Sequence, residues 1–177
     1  RQILLEGCLG QNGVNVRVIG KVTARVLAER GATVIGVGRD PAKIQATRSE
    51  IGDTPGSLEF LTADLSSQDQ VRALTEAFKG KYDQLHVLVN NAGGAKGADP
   101  VATGKDEDWE FMLAANVLGV LRVTRAFLPL LVENPGSSIL NVGSIAGHVA
   151  YEGGAAYCAA KAGELQVSRA LRLELSG

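Results

Sequence analysis

The chain has 177 residues, of which 45% are hydrophobic and 21% charged, and its formal net charge is −1. This length fits one domain with a substantial core, and near-balanced charge excludes a strongly basic nucleic-acid or membrane-surface binder. No uninterrupted apolar run approaches the ~20 residues that span a bilayer, no secretory leader opens the chain, and its two cysteines lack CxxC or metal spacing. We therefore expect a cytoplasmic protein with no metal site and no nucleic-acid or membrane partner.

Short apolar strands alternate with helical patterns along the whole chain. The predicted strands are 3–5, 33–37, 58–61, 85–90 and 138–142, and the predicted helices are 20–30, 41–51, 67–79, 106–131 and one from 154 onward. Pro41 suits a first helical position, and Gly31 suits the end of a helix. Ser67 with Gln70 matches a capping box. The alternation predicts an α/β fold with a doubly wound parallel sheet.

Polar segments follow several of the predicted strands, and in such a sheet ligands lie at the carboxyl ends of the strands. The segments read "GRD", "ADL", "NNAG" and "NVGSIAG", and a later helix carries Tyr157 and Lys161 four residues apart. That spacing puts both side chains on one helical face, where the ammonium favours the phenolate. A tyrosine so placed is suited to donate a proton to a carbonyl oxygen as hydride reaches the carbon. Each segment alone is weak evidence.

In this order and spacing, the segments resemble the short-chain dehydrogenase/reductase family. The likeness covers residues 23–176 and rests on "DL" at 64–65, "NNAG" at 90–93, "NVLG" at 116–119, "NVGSIAG" at 141–147 and "YCAAK" at 157–161. It implies a Rossmann-like sheet of order 3-2-1-4-5. Because the chain starts without methionine and stops within a helical pattern, we expect residues 1–177 to be a single domain truncated before the sixth and seventh strands.

The resemblance also implies catalytic roles for four residues. Tyr157 corresponds to the acid/base, and Lys161 to the lysine that lowers its pKa and binds the nicotinamide ribose. Ser144 corresponds to the serine that polarises the carbonyl, and Asn116 to the asparagine that holds a water in a proton relay. These roles predict an oxidoreductase.

Further positions match the cofactor-binding residues of the family. Asp64 and Leu65 correspond to the adenine contact, although Asp64 also suits a cap before a helix. The positions that correspond to the turn beside the adenosine are Asn90, Ala92 and Gly93. Arg39 follows the second strand where an acidic residue would select NAD, and its guanidinium suits a 2′-phosphate. We therefore expect NADP, with NAD left open by the adjacent Asp40.

The first loop, residues 10–21, departs from the family turn Thr-Gly-x-x-x-Gly-x-Gly. Gly13, Ile19 and Gly20 fall at positions of that turn, and Gly20 is its last glycine. Gly13 stands in place of the threonine, and Val14 and Val18 replace glycines that allow close approach of a pyrophosphate. A one-base shift of C-ending codons with CGG for arginine turns residues 12–17 into Thr-Ala-Ser-Thr-Ser-Gly. A frame error is one hypothesis for this loop, and a diverged loop with weaker cofactor binding is the other.

The stretch from "VNNAGGAKGADP" through "SRALRLEL" looks like NADP-dependent serine and 3-hydroxy acid dehydrogenases. It implies a small hydroxy or oxo acid as substrate, and a homodimer or homotetramer formed through the helices that bear Asn116 and Tyr157. Two alternatives remain. One is a non-catalytic remnant with a damaged phosphate loop that acts as a dimerisation module. The other keeps the cofactor but performs epimerase or dehydratase chemistry.

Overall fold

The computed structural model describes residues 1–6 and 14–175, and the side chains of residues 14–18 are outside that description. The strands are β1 (Gln2–Glu6), β2 (Thr33–Gly38), β3 (Ser57–Thr62), β4 (Val87–Asn90) and β5 (Ser138–Asn141). The helices are α1 (Val14–Glu29), α2 (Pro41–Ile51), α3 (Gln68–Lys79), α4 (Asp106–Leu113), α5 (Gly119–Val132) and α6 (Ala155–Glu174). A π-helical turn, Ala114–Leu118, joins α4 to α5, and a 3-10 turn, Ile145–Gly147, precedes α6.

The five strands form one parallel sheet of order β3-β2-β1-β4-β5, which confirms the order expected from the sequence. β1 is central, since Leu4 pairs with Ile35 on β2 and with Leu88 on β4. On the outer side of β4, Asn90 pairs with Asn141 of β5. The carboxyl ends of all five strands therefore meet at one edge of the sheet.

Both faces of the sheet are covered, as the apolar strands predict. On one face, Leu4 and Leu88 pack with Phe78 of α3 and with Val123 and Phe127 of α5. On the other face the cluster combines strand and helix residues: Ile3, Leu5, Val34 and Val89 from the strands, with Ala24 and Ala28 from α1. Strand side chains alternate between faces, so Glu6 points to the same face as Leu4.

Most predicted bounds are confirmed, and the start of α1 is wrong. α2 has the predicted bounds, Ser67 caps α3 by accepting from the backbone N–H of Gln70, and Gly31 follows α1 with φ of 84°. The helix predicted from Gly20 begins instead at Val14. Neither glycine nor proline interrupts residues 14–19, so nothing in the sequence forces the helix to start at Gly20.

The helix predicted over 106–131 is interrupted by the π-helical turn. The stretch Asp106–Val132 has the length and composition to cross a membrane, although Arg122 and Arg125 break its apolar run. The same criteria are met by core helices, and the buried residues of α5, including Val123 and Phe127, pack on the sheet. Part of its apolar character is therefore explained by the core.

Candidate active site

A cleft of about 540 Å³ lies at the carboxyl ends of the strands. Its walls combine Arg39 after β2, Asp64 and Leu65 after β3, and Ala92 and Gly93 after β4. The π-helical turn and the start of α5 close the side opposite α2. The volume lies within the range typical of small-molecule sites, roughly 300–1,000 Å³. Five of the predicted cofactor positions therefore meet in one cavity.

One end of the cleft is lined by two cations, Arg39 and Lys43, and by the carboxylates of Asp40 and Asp64. The neighbouring Asp40 accepts hydrogen bonds from the backbone N–H groups of Ala42 and Lys43 at 2.9 and 3.3 Å, and so caps α2. These hydrogen bonds, that from Lys43 most strongly, lower the pKa of Asp40 despite slight desolvation. Asp40, which kept NAD as an alternative cofactor in the sequence, is thus engaged with the N-terminus of α2. The cations at this end each lie near a carboxylate: Lys43 Nζ is 3.6 Å from Asp40 Oδ2, and Arg39 lies beside Asp64.

Asp64 lies beside Arg39, with Nη1 and Oδ2 3.7 Å apart. Its Oδ1 accepts from the backbone N–H and the hydroxyl of Ser66 at 2.9 and 2.7 Å. Partial burial raises the pKa of this carboxyl, but the Ser66 hydrogen bonds and Arg39 together bring it below its usual value. Asp64 therefore serves as a cap in the turn before α3 while also lining the cleft, so both roles considered from the sequence are structurally compatible.

The turn after β4 is held by Asn116. This buried side chain donates to the carbonyls of Gly94 and Met112 at 2.9 and 2.8 Å, and its Oδ1 accepts from the N–H of Gly94 at 3.2 Å. Both donors of the side-chain amide are thus engaged by backbone carbonyls. A Cβ at Gly93 would lie 2.4 Å from Asn116 Oδ1 and 3.9 Å from Lys161 Nζ. Only glycine fits where the turn passes these two residues.

Asn90 braces the sheet rather than contacting the cleft. Its amide donates to Thr124 of α5 at 3.0 Å and to Asn141 of β5 at 2.7 Å. Asn141 donates in turn to Ser168 of α6 at 2.7 Å, and Ser168 donates to the carbonyl of Glu164 at 2.9 Å. This partly buried chain of hydrogen bonds ties α5, β4, β5 and α6 together below the candidate site.

Lys161 is buried, with only 8% of its side chain exposed. Its Nζ donates to Glu164 Oε2 at 2.6 Å and to the carbonyl of Val142 at 3.1 Å. The ammonium therefore lies between α6 and the end of β5, near Gly93. The glutamate partner was not among the residues singled out in the sequence.

Ser144 and Tyr157 border two different cavities near the Lys161 ammonium. Ser144 starts the 3-10 turn, where its hydroxyl accepts from the N–H of Ala146 at 3.2 Å, and it shares a groove along β5 with Lys161. Tyr157 lies one turn before Lys161 on α6, packs against Met112 and borders a cavity of about 50 Å³. The structure thus brings Asn116 and Lys161 together on either side of Gly93. It places Ser144 and Lys161 in the same groove, whereas Tyr157 faces α4.

The residues predicted for the pyrophosphate turn are not assembled as expected. Gly13 lies outside the described residues. Ile19 and Gly20 lie within α1, six and seven residues into the helix rather than at its N-terminal turn. A backbone N–H at that depth of a helix points along the helix axis to a carbonyl four residues earlier, and is unsuited to meet a phosphate.

Two buried acids near Lys161 escaped the sequence analysis, Glu6 and Glu164, which are 1% and 2% exposed. Burial, with a smaller contribution from the Glu164 carboxylate, raises the pKa of Glu6 to about 8. Burial also raises the pKa of Glu164, although Lys161 opposes that change. Among the described residues, neither carboxyl oxygen of Glu6 has a hydrogen-bond partner. Two features of the sequence could have indicated these acids. Glu6 lies two residues after Leu4 on a strand and so shares its buried face, and Glu164 lies three residues after Lys161 on one face of a helix.

Comparison with known families and proteins gives a consistent picture. A family model described as short chain dehydrogenase matches residues 15–177. An NADP-dependent 3-hydroxy acid dehydrogenase of Salmonella typhi is 38% identical over 160 residues, which cover 89% of this chain and 62% of that relative. A serine 3-dehydrogenase of Agrobacterium fabrum (strain C58 / ATCC 33970) is 34% identical over 158 residues, with the same two shares. The chain thus spans about 62% of the length of these curated relatives.

Solved structures show the same likeness. The crystal structure of serine dehydrogenase from Escherichia coli has a TM-score of 0.89 at 32% identity, and the match covers 100% of this chain and 77% of that chain. The closed form of serine dehydrogenase complexed with NADP+ has a TM-score of 0.88 at 32% identity, over 100% of this chain and 67% of that one. The family-model match begins after β1 and within the altered loop, at residue 15.

Proposed function

Because the chain belongs to the short-chain dehydrogenase/reductase family, we propose that it transfers hydride between NADP(H) and a small hydroxy or oxo acid, such as serine or another 3-hydroxy acid. NADP-dependent 3-hydroxy acid dehydrogenase and serine 3-dehydrogenase are the names of relatives that support this choice. The same reaction in reverse reduces the oxo acid. We expect the protein to act in the cytoplasm.

The cleft at the carboxyl ends of β2, β3 and β4 fits the adenosine half of NADP. Arg39 and Lys43 offer two cations for a 2′-phosphate, and a guanidinium can contact such a group through two parallel hydrogen bonds. The missing Cβ of Gly93 leaves room where the turn passes Asn116 and Lys161. Asp64 and Leu65 would lie against the adenine, and Asn90 braces the wall of the site from beneath.

The bound nicotinamide would supply or accept the hydride. The protein then has to move one proton at the substrate oxygen, and we assign this to the Tyr157 hydroxyl. Lys161, four residues later on the same helical face, favours the phenolate by its charge. Ser144 would donate a hydrogen bond to the carbonyl oxygen as negative charge develops there. Asn116 keeps the turn at Gly93 and Gly94 in place beside Lys161.

One observation carries the proposal: five predicted cofactor residues line a single cleft, and Gly93 on its wall lies between Asn116 and Lys161. The test is NADP+ reduction, followed at the nicotinamide absorbance, with L-serine and 3-hydroxy acids as substrates. Tyr157→Phe should lower kcat by roughly 10²-fold or more, the contribution typical of a general acid/base, with unchanged NADPH affinity. Tyr151→Phe is the matched control. A Tyr157→Phe protein that keeps its rate would refute the assigned acid.

The non-catalytic alternative also has an observation in its favour. α1 extends back past Gly20, and Lys161 is already paired with Glu164. Both features reduce the groups available to a dinucleotide. In this second candidate function the domain would serve as a dimerisation module, and it would show neither turnover nor cofactor binding.

Self-association is proposed through the helices that bear Asn116 and Tyr157. Leu113 and Leu118 on the first of these are 41% and 42% exposed. Exposed leucines next to the site suit a contact with a second copy of the chain. Sedimentation velocity of the protein, with Leu113→Lys/Leu118→Lys as the variant, measures this association, and an unchanged sedimentation coefficient in the variant would exclude these leucines from the contact.

A further inference from the structure

We propose that Lys96 is a specificity-determining residue: its ammonium binds the carboxylate of a 3-hydroxy acid in the small cavity that Tyr157 borders. The inference rests on the proposed function, because it names the group that recognises the acid end of the substrate assigned there. It deepens that function by making the carboxylate a requirement, so that an uncharged alcohol of the same size is a poor substrate. Lys96 lies between β4 and α4 and belongs to none of the motifs that carry the family resemblance.

The segment that carries Lys96 is held on both sides of this residue. Before it, the side chain of Asn116 donates to the carbonyl of Gly94 at 2.9 Å and accepts from its N–H at 3.2 Å. After it, the backbone of Ala98 packs against the turn that precedes α6, since a Cβ at Gly153 would lie 2.6 Å from the Ala98 carbonyl oxygen. The position of Lys96 is therefore set by the same turn after β4 that lines the cofactor cleft.

Asp108 of α4 orients the ammonium. Its Oδ1 lies 2.8 Å from Lys96 Nζ, and a Cβ at Gly97 would lie 2.6 Å from its Oδ2, so the carboxylate fits closely against the segment. The Asp108 side chain is only 13% exposed, whereas that of Lys96 is 49% exposed. The ring of Phe111 lies on another side of the ammonium, with its centroid 6.0 Å from Nζ. Lys96 thus has a defined position and an accessible face.

The ammonium has donors left for a second carboxylate. It carries three N–H groups, and the ion pair with Asp108 engages one of them. The hydrogen bond and the charge of Asp108 raise the pKa of Lys96 above its usual value, so the side chain is charged throughout the neutral range. Asp99 and Lys105 border the same cavity, which is therefore not uniformly positive. Recognition thus depends on direct contact with the Lys96 ammonium rather than on the overall charge of the cavity.

The size of the cavity suits the acid end of a substrate rather than the whole molecule. A water molecule takes about 30 Å³ in the liquid, so a cavity of about 50 Å³ admits a carboxylate group but not an entire 3-hydroxy acid. Lys96 and Tyr157 border this cavity together. In a 3-hydroxy acid a single carbon separates the reacting carbon from the carboxylate. A substrate whose hydroxyl meets Tyr157 can therefore extend its carboxylate towards Lys96.

Trp109 provides the readout, because it is the single tryptophan of the chain and lies on the wall of this cavity. Titration of the protein with 3-hydroxypropionate, followed by Trp109 fluorescence, measures binding of the acid without turnover, and 3-hydroxypropionamide is the uncharged comparison. Lys96→Met should raise the Kd for the acid by about tenfold or more, as expected for loss of a charge-assisted hydrogen bond, and should leave the Kd for the amide unchanged. Lys96→Arg keeps the charge and should retain most of the affinity.

Asp108→Asn separates recognition of the substrate from a structural role of the ion pair. It removes the carboxylate that competes for the Lys96 ammonium, so the affinity for the acid should be kept or increased. If the pair served only to hold the segment in place, Lys96→Met and Asp108→Asn would weaken binding alike. Lys81→Met is the matched control, since it breaks an ion pair of similar length, 2.7 Å to Glu59, away from the cavity, and it should leave the Kd unchanged.

Three results would overturn the proposal. These are equal losses in Lys96→Met and Asp108→Asn, a loss confined to Lys105→Met, and the absence of a saturable fluorescence change with the acid. In the enzymatic assay Lys96→Met should raise KM for the acid by the same factor with little change in kcat, as for loss of uniform binding. Binding of the acid through Lys96 without reduction of NADP+ would contradict the proposed function and support this inference. Turnover with an unchanged KM in Lys96→Met would do the reverse.

Discussion

Replacing Glu6 by glutamine should remove the decrease in stability that this carboxyl causes between pH 5.5 and 7.5. The carboxyl lies at the end of the central strand, 1% exposed, and burial raises its pKa from an ordinary 4.5 to about 8. The folded state thus holds a proton that the unfolded chain has released. The stability that this group contributes is fully present below pH 4.5, falls as the pH rises, and is lost above about pH 8.

The size of this effect is measured as the change in the free energy of unfolding with pH. Across a window that lies between the two pKa values, one retained proton makes the free energy of unfolding fall by about 1.4 kcal/mol for each pH unit. Urea denaturation of the unsubstituted protein and of Glu6→Gln at pH 5.5, 6.5 and 7.5 gives that slope as a difference. The difference should change by about 3 kcal/mol over the two units, in favour of the variant at higher pH.

Glu59→Gln is a control with the opposite sign. Hydrogen bonds from Lys81 and Tyr82 lower the pKa of Glu59, so the stability it contributes is present above pH 4.5 and is lost only below that value. Its difference from the unsubstituted protein should be constant from pH 5.5 to 7.5. If Glu6→Gln gave an equally constant difference, the carboxyl would be ionised or solvated in the folded protein, and the account of this buried acid would be wrong.

Three further substitutions test the cleft and the core. Arg39→Ala should weaken NADPH binding by about tenfold or more, as expected for loss of a charge-assisted contact, and leave NADH binding unchanged; equal effects on both cofactors in a fluorescence titration would contradict the 2′-phosphate role. Gly93→Ala places a Cβ 2.4 Å from Asn116 Oδ1 and should lower both the melting temperature and NADPH affinity, whereas Gly136→Ala, which has open space around it but shares a positive φ, should lower only the former. Phe127→Ala, fully buried and edge-on to Phe78 at 5.4 Å, should cost about 3–5 kcal/mol in urea, and a loss below 1 kcal/mol would mean that the core readily refills.

Much of the fold could be read from the sequence because local signals agreed with the tertiary context. Pro41 at a first helical position and Ser67 at an N-cap fixed the starts of α2 and α3, and both were confirmed. The apolar strands and their alternation with helices predicted a parallel sheet, and the family resemblance implied its strand order. The start of α1 was wrong because Gly20, taken as the end of a turn, lies inside a helix that it does not break.

The site was only partly predictable. Motif residues such as Arg39, Asp64 and Gly93 meet in one cleft because they follow strands of one parallel sheet, whose carboxyl ends share an edge. The environment of Lys161 was missed because Glu164 and Glu6 belong to no motif, and a lone glutamate usually lies on a solvated surface. Only the three-dimensional packing of α6 against the sheet shows that both acids are buried.

Binding of NADPH tests the central claim most directly. Titration of the protein with NADPH, followed by the increase in nicotinamide fluorescence, should reach saturation, and NADH should bind more weakly by at least the factor that Arg39→Ala removes. A flat signal with NADPH up to millimolar concentrations would show that the cleft at the ends of β2, β3 and β4 does not hold the dinucleotide, and would leave the fold without the proposed redox function.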